Sequence, residues 1–201
     1  MNDFALYFST GWFHIISVNA LDHILFIIVL AAIYLMGNWK QVLVLVTAFT
    51  IGHSLTLALS VVDIIRVKDK WVEFLIPCTI IATAVFNFLV KDFSPRSLRL
   101  NYFLALFFGL IHGMGFANSI RFMLAKDQQL WLPLLSFNLG LEAGQIALVS
   151  IILFAGYILV NKIKLKKTWW VRGLSAFCLL LAVKMAVERF QIGRASCRER
   201  V

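Results

Sequence analysis

The chain has four histidines, His14, His23, His53 and His112, and none lies in a basic loop. His53 and His112 fall near the middle of long apolar runs, and His14 and His23 bracket the start of another. Among the acids, Asp3, Asp63, Asp69, Asp92, Asp127 and Glu188 lie between such runs or at their ends, and Glu73 is one turn into a run. Glu142 alone sits deep in one. A charge near the centre of a bilayer costs at least ~2.5–3.5 kcal/mol, so it normally faces a protein interior and has a partner. Imidazole nitrogens suit Ni, Co, Zn, Cu and Fe, and a carboxylate adds charge neutralisation. Outside the last ten residues only Cys78 and Cys178 are present, with no CxxC spacing. They read as small buried hydrophobes and argue against a thiolate or Cu(I) site.

Each polar residue also has a plain structural use. Asn19-x-x-Asp22 has the spacing of a capping box, with Asp where Glu or Gln is usual, so Asp22 could simply stabilise a helix start. The same positive helix end would keep His23 neutral and able to bind metal. Thr50, His53 and Ser54 share one helical face and could join helices by hydrogen bonds. Gly109 and Gly113 form a small-xxx-small pair that favours close helix packing, which leaves His112 unexplained. Asn138, Glu142 and Gln145 share a face beside Gly140 and Gly144. A protonated Glu142 bonded to Asn138 is one reading, and a carboxylate that meets a cation or relays a proton is the other. Taken together, the plain readings would make every histidine and the one deep acid incidental.

The elements that carry these residues must span lipid. Of 201 residues 61% are apolar and only 14% charged, and the mean hydropathy is +0.88. Several apolar runs reach the ~20 residues that cross a ~30 Å hydrocarbon layer. Backbone groups cannot stay unpaired in lipid, and the runs do not alternate as a barrel would, so they must be helices. The expected fold is an all-α, polytopic membrane helix bundle of about six transmembrane helices. The spans are Leu21–Met36, Gln41–Val62, Trp71–Val90, Tyr102–Leu124, Leu130–Val160 and Trp169–Arg189, with an amphipathic stretch Phe4–Ile16 before the first. Trp39, Trp71, Trp131, Trp169 and Trp170 lie at span ends, where interfacial aromatics belong. Phe49-x-x-x-His53-Ser54 faintly echoes Phe108-x-x-x-His112-Gly113, a spacing that chance explains better than an internal repeat.

Residues 192–201 read as a polar, basic tail after an apolar helix and resemble an in-frame translation of a sequencing adapter. They are set apart as non-native, so the native C-terminus is not read from them, and residues 1–191 are treated as a single transmembrane domain. Without the tail's three Arg and one Glu the net charge falls from +9 to +7. That basicity points to membrane orientation and anionic headgroups rather than nucleic acid. Nine cations follow spans one, three and five or lie just inside span six, against seven on the opposite side, with the Lys162–Lys167 cluster the strongest single vote. The count favours both termini outside. The first residues carry no Lys or Arg, so no secretory n-region is expected.

At these motifs the chain resembles the HupE/UreJ family of nickel-associated membrane proteins. The matching segments are His14 through Leu21-Asp22-His23-Ile-Leu-Phe26, Phe49-Thr-Ile-Gly-His53-Ser-Leu-Thr-Leu57, Phe108-Gly-Leu-Ile-His112-Gly-Met-Gly-Phe-Ala117 and Phe137-Asn-Leu-Gly-Leu-Glu142-Ala-Gly-Gln145. Seven residues separate His14 from the Asp-His pair, where many members have five. The resemblance implies six to eight helices and transport or accessory supply of nickel or a similar divalent metal to hydrogenase or urease. It makes His14, Asp22, His23, His53, His112 and Glu142 candidate metal ligands, with Thr50, Ser54, Asn138, Gln145, Gly109 and Gly113 in support.

The resulting expectation is a secondary permease of a bacterial inner membrane with periplasmic termini, and not an enzyme. Asp22 and His23, with His14, would capture a divalent cation at the outer mouth. His53, His112 and Glu142, helped by Asn138, would form a second site near the midplane. Nickel is the first choice of substrate, with cobalt or zinc as alternatives and no organic cofactor. The expected partners are the lipid bilayer and the metal ion, with no nucleic acid, and a homo-oligomer is left open. The rivals are a membrane-embedded metal hydrolase and a metal-binding accessory protein without flux.

Overall fold

A computed structural model describes residues 3–89, 95–124 and 131–198, with the side chains of Asn19 and of residues 95–100, 117–124 and 192–198 also left aside. Lys91, Asp92, Lys126 and Asp127, the side chains of Arg96, Arg99 and Arg121, and the tail side chains from 192 onward therefore lie outside the described set. Every regular element among the described residues is helical. In order they are α1 (Asp3–Ile16), a 3₁₀ turn (Val18–Ala20), α2 (Leu21–Ala31), a second turn (Met36–Asn38), α3 (Trp39–Val61), α4 (Asp69–Leu89), α5 (Pro95–Leu124), α6 (Trp131–Gly156) and α7 (Lys167–Arg198). A π-helical segment, Tyr157–Lys162, prolongs α6.

Four of these are long and apolar enough to cross a membrane by themselves: α3 with its leading turn, α4, α6 with its π segment, and α7. Helices α1 and α2 pass the same test only jointly, bent by 66° at their joint, as a broken span or a re-entrant loop would be. The expected fourth span falls in α5, whose apolar stretch is Asn101–Phe116. The helical bundle thus stands, and the amphipathic Phe4–Ile16 stretch forms α1, which is packed within it. Tyr7, Gly11 and Ile15 are buried on one face of α1 at every fourth residue, and that face lies along α6.

Two glycine-mediated pairs set the framework. A Cβ on Gly11 would run into the Phe137 carbonyl, and one on Gly140 into the Phe8 carbonyl, so α1 and α6 are in backbone contact. A Cβ on Gly52 would meet the Leu106 carbonyl, and Cβ atoms on Gly109 and Gly113 would meet the Phe49 and His53 carbonyls. Helices α3 and α5 are therefore also in backbone contact, as small-residue stripes allow. The Phe49/His53 and Phe108/His112 segments lie on these two adjoining helices.

Polar side chains tie α2, α4 and α7 at two levels. Asn87 on α4 donates to the Val29 carbonyl (2.8 Å) and to Ser175 Oγ on α7 (3.0 Å). Toward the other end, Arg189 on α7 donates to the Glu73 carbonyl on α4 and to Asp22 on α2. The core between the helices is aliphatic and aromatic, with Ile15, Phe26, Leu45, Phe49, Leu57, Ile80, Phe137 and Leu141 fully enclosed. Val44, Ile51, Leu55, Phe103, Phe107, Ile151, Phe154 and Leu180 face outward, as lipid-facing side chains do, and Trp39, Trp71, Trp131 and Trp169 are exposed at helix starts.

Candidate metal centre

The joint between α1 and α2 places His14 and His23 close together. Helix α2 starts at Leu21 with Ala20 as N-cap, one residue after Asn19, so the capping box expected at Asn19-x-x-Asp22 involves a side chain outside the described residues. Asp22, in the first turn, accepts the His23 backbone N–H at 2.9 Å with Oδ1. The same oxygen lies 3.0 Å from His23 Nδ1. A carboxylate only accepts, so a ring proton of His23 is assigned to Nδ1, and Nε2 is the nitrogen left toward the cluster. Metal-binding histidines are commonly oriented this way.

Three imidazoles converge. His14 from α1, His23 from α2 and His53 from α3 each offer a ring nitrogen, and these atoms all lie within 4.8 Å of one another. The rings of His14 and His23 are 4.6 Å apart between centroids, His14 and His53 5.9 Å, and His23 and His53 6.2 Å. His112 from α5 is adjacent, 5.0 Å from His23. The Thr79 hydroxyl gives its proton to the Ile76 carbonyl at 2.6 Å, so toward His112 Nε2, 3.2 Å away, it can only accept. That places the His112 proton on Nε2 and leaves Nδ1 with the lone pair.

His23, His53 and His112 are buried, His53 completely. Among the described residues, His14 Nε2, His23 Nε2, both nitrogens of His53 and His112 Nδ1 are buried without a hydrogen-bond partner. Buried polar atoms are nearly always paired, so five orphaned nitrogens in one place need an explanation. The walls are aromatic. Phe116 lies 4.0 Å from His14, Phe26 and Phe49 lie 5.1 and 5.2 Å from His112, and Phe137 stacks on Phe116 at 5.2 Å.

The histidines that the sequence divides between an outer group (Asp22, His23 and His14) and a separate midplane set stand in one cluster. His53 stands with His14 and His23, and His112 is beside His23. Glu142 is placed differently. Its Oε1 accepts from Thr47 Oγ1 on α3 at 2.8 Å, and it is not among the grouped ligand atoms. Gln145, next along α6, accepts from Thr50 at 2.9 Å. Ser54 bonds back to the Thr50 carbonyl at 2.6 Å within its own helix. Asn138 Oδ1 and Gln145 Nε2 are buried without partners. Gly109 and Gly113 serve the α3–α5 contact.

Thr47, Thr79 and Arg189 take part without having been singled out in the sequence. For Thr79 a signal existed, since Thr79, Thr83 and Asn87 form a polar stripe at every fourth residue of α4, and all three are buried. Thr47 lies one turn before the Thr50 face. Arg189 looks like any cation at a span end.

Residues 1–191 match the family described as HupE / UreJ protein. No curated protein and no solved structure matches the chain. The match runs through the histidine motifs on α1, α2, α3 and α5 and the Glu142 motif on α6, and the chain belongs to the HupE/UreJ family.

Proposed function

We propose that this membrane protein is a secondary permease whose substrate is a divalent transition metal, nickel first and cobalt or zinc as alternatives. The observation that carries the reading is the His14–His23–His53 convergence, with ring nitrogens within 4.8 Å and no protein partner on the inward-facing atoms. Nitrogens bound to one ion at ~2.0–2.1 Å stand about 3.3 Å apart, so small side-chain adjustments would close the site. Neutral imidazoles suit such ions, and Asp22 supplies one negative charge behind His23. His112 extends the ligand set by one ring and gives a departing ion a next position.

Glu142, held by Thr47, is the proposed proton carrier, because ligands must lose protons to bind metal and regain them on release. Alternating access would use the glycine contacts, along which α1–α6 and α3–α5 can shift as units. The setting is a bacterial inner membrane, with both termini periplasmic. A second reading draws on the same geometry. Three imidazoles leave a coordination position open for water, as in catalytic zinc sites, and would suit a membrane-embedded hydrolase.

The test is uptake of Ni(II), Co(II) and Zn(II) by proteoliposomes, wild type beside His53→Ala and Glu142→Gln. Wild-type uptake, its loss in His53→Ala and its slowing in Glu142→Gln are expected. Equal uptake by all three proteins would overturn the assignment of these residues. Binding without flux would make the protein an accessory one, and lipid turnover without flux would favour the hydrolase.

A further inference from the structure

Arg189 bears on the metal centre without touching it. The Asp22 carboxylate divides its two oxygens. Oδ1 serves His23, and Oδ2 accepts from the Arg189 guanidinium at 3.1 Å. Asp22 is buried, and the Arg189 side chain is only 24% exposed, so this pair is largely shielded from water. A second anchor holds the guanidinium, which donates to the Glu73 carbonyl at 2.8 Å.

That carbonyl is available for a reason written in the sequence. In an α-helix the carbonyl of residue 73 would accept from the N–H of residue 77, and residue 77 is Pro77, inside α4. Proline has no N–H, so the Glu73 carbonyl lacks its helical partner. Arg189 supplies it. A proline on α4, an acid on α2 and an arginine on α7 thus hold one positive charge against the carboxylate that orients His23.

We infer that Arg189 is the resident counter-cation of Asp22, and that it competes with the divalent cargo for that carboxylate. This rests on the metal-site reading above. Asp22 attracts an ion bound to His23, and the part of its charge committed to Arg189 is withheld from that ion. The competition belongs to the resting arrangement, in which the guanidinium already holds Oδ2 of Asp22. It weakens retention of the cargo and favours its release, which a carrier needs and a storage site does not. It also links occupancy to α7, because the guanidinium that yields Asp22 is carried on that helix.

The experiment is Ni(II) binding by calorimetry on the purified full chain in detergent, with Ni(II) uptake in proteoliposomes alongside. Arg189→Gln is expected to bind Ni(II) about tenfold more tightly than wild type, within the usual range for coupled sites, and to take it up more slowly. Arg189→Lys keeps the charge and is expected to stay close to wild type. Pro77→Ala keeps Arg189 but restores a competing N–H for the Glu73 carbonyl. It is expected to tighten binding in the same direction by a smaller factor, and it carries the test should Arg189→Gln fail to fold. A merely structural arginine could only weaken binding when removed. Unchanged or weaker binding in Arg189→Gln, or in Pro77→Ala where that variant carries the test, would overturn the inference while leaving the metal site in place. A wild-type protein that binds none of Ni(II), Co(II) and Zn(II) would remove the metal site itself, and this inference with it.

Discussion

Asp22 has the clearest role of any single residue, because both of its oxygens are engaged and each engagement can be broken separately. Asp22→Asn keeps an oxygen for one donor and removes the charge. The amide then has no reason to select the Nδ1–H form of His23, and Arg189 loses its ion pair. Loss of such an orienting partner typically lowers metal affinity 10–100-fold. Calorimetric Ni(II) affinity should therefore fall by that order in Asp22→Asn, opposite in sign to the change expected for Arg189→Gln. An affinity equal to wild type would mean that Asp22 only starts the helix. The histidines and Glu142 were legible in the sequence because polar groups in apolar runs need a reason to be there. Their grouping was not. His14, His23 and His53 come from three helices, and nothing in their spacing says that the last joins the first two while Glu142 turns to Thr47. Arg189 was counted only as an orientation charge, since its partner Asp22 lies 167 residues away in the chain.

Among the helices, α1 is the one whose role the sequence disguised. Its amphipathic pattern names no partner, yet Gly11 and the α6 glycines put it in backbone contact with α6, and this is what delivers His14 to the cluster. The small-residue stripe of Gly140 and Gly144 was visible, but the helix that fills it was not. Gly140→Ala tests the connection. The new methyl would fall on the Phe8 carbonyl, a backbone atom that cannot move without shifting α1. Overpacking of this kind commonly costs about 1–3 kcal/mol. The melting temperature in detergent should fall, and Ni(II) affinity should fall with it as His14 is drawn from His23 and His53. Gly37→Ala is the control, because nothing lies within 4 Å of a Cβ there. Full metal affinity in a folded Gly140→Ala protein would show that His14 does not depend on this contact. The long spans were easier to read. Apolar length identifies α3, α4, α6 and α7 directly, whereas the 66° bend between α1 and α2 is a tertiary feature.

For the whole molecule, the bundle has two unlike ends. Asp22 in the first turn of α2, Glu73 in the second turn of α4 and Arg189 late in α7 meet at one end, close to the imidazoles. Val29, Asn87 and Ser175 meet toward the other, where the α6–α7 connection carries Lys162, Lys164, Lys166 and Lys167. Cations near helix ends favour the cytoplasmic side, and although the α3–α4 connection carries Arg66, Lys68 and Lys70, the larger Lys162–Lys167 cluster makes the end nearer the histidines the one expected to face the periplasm. Two exposed isoleucines report on the two ends. Ile64 lies between α3 and α4, on the Glu73 side, and Ile163 lies between α6 and α7. With Cys78, Cys178 and Cys197 replaced by serine, single cysteines at these positions can be probed in intact cells with a membrane-impermeant maleimide. Ile64→Cys should label from outside, and Ile163→Cys only after the membrane is opened. The reverse pattern would turn the protein over, put the Asp22–Arg189 end toward the cytoplasm, and make export the direction to test.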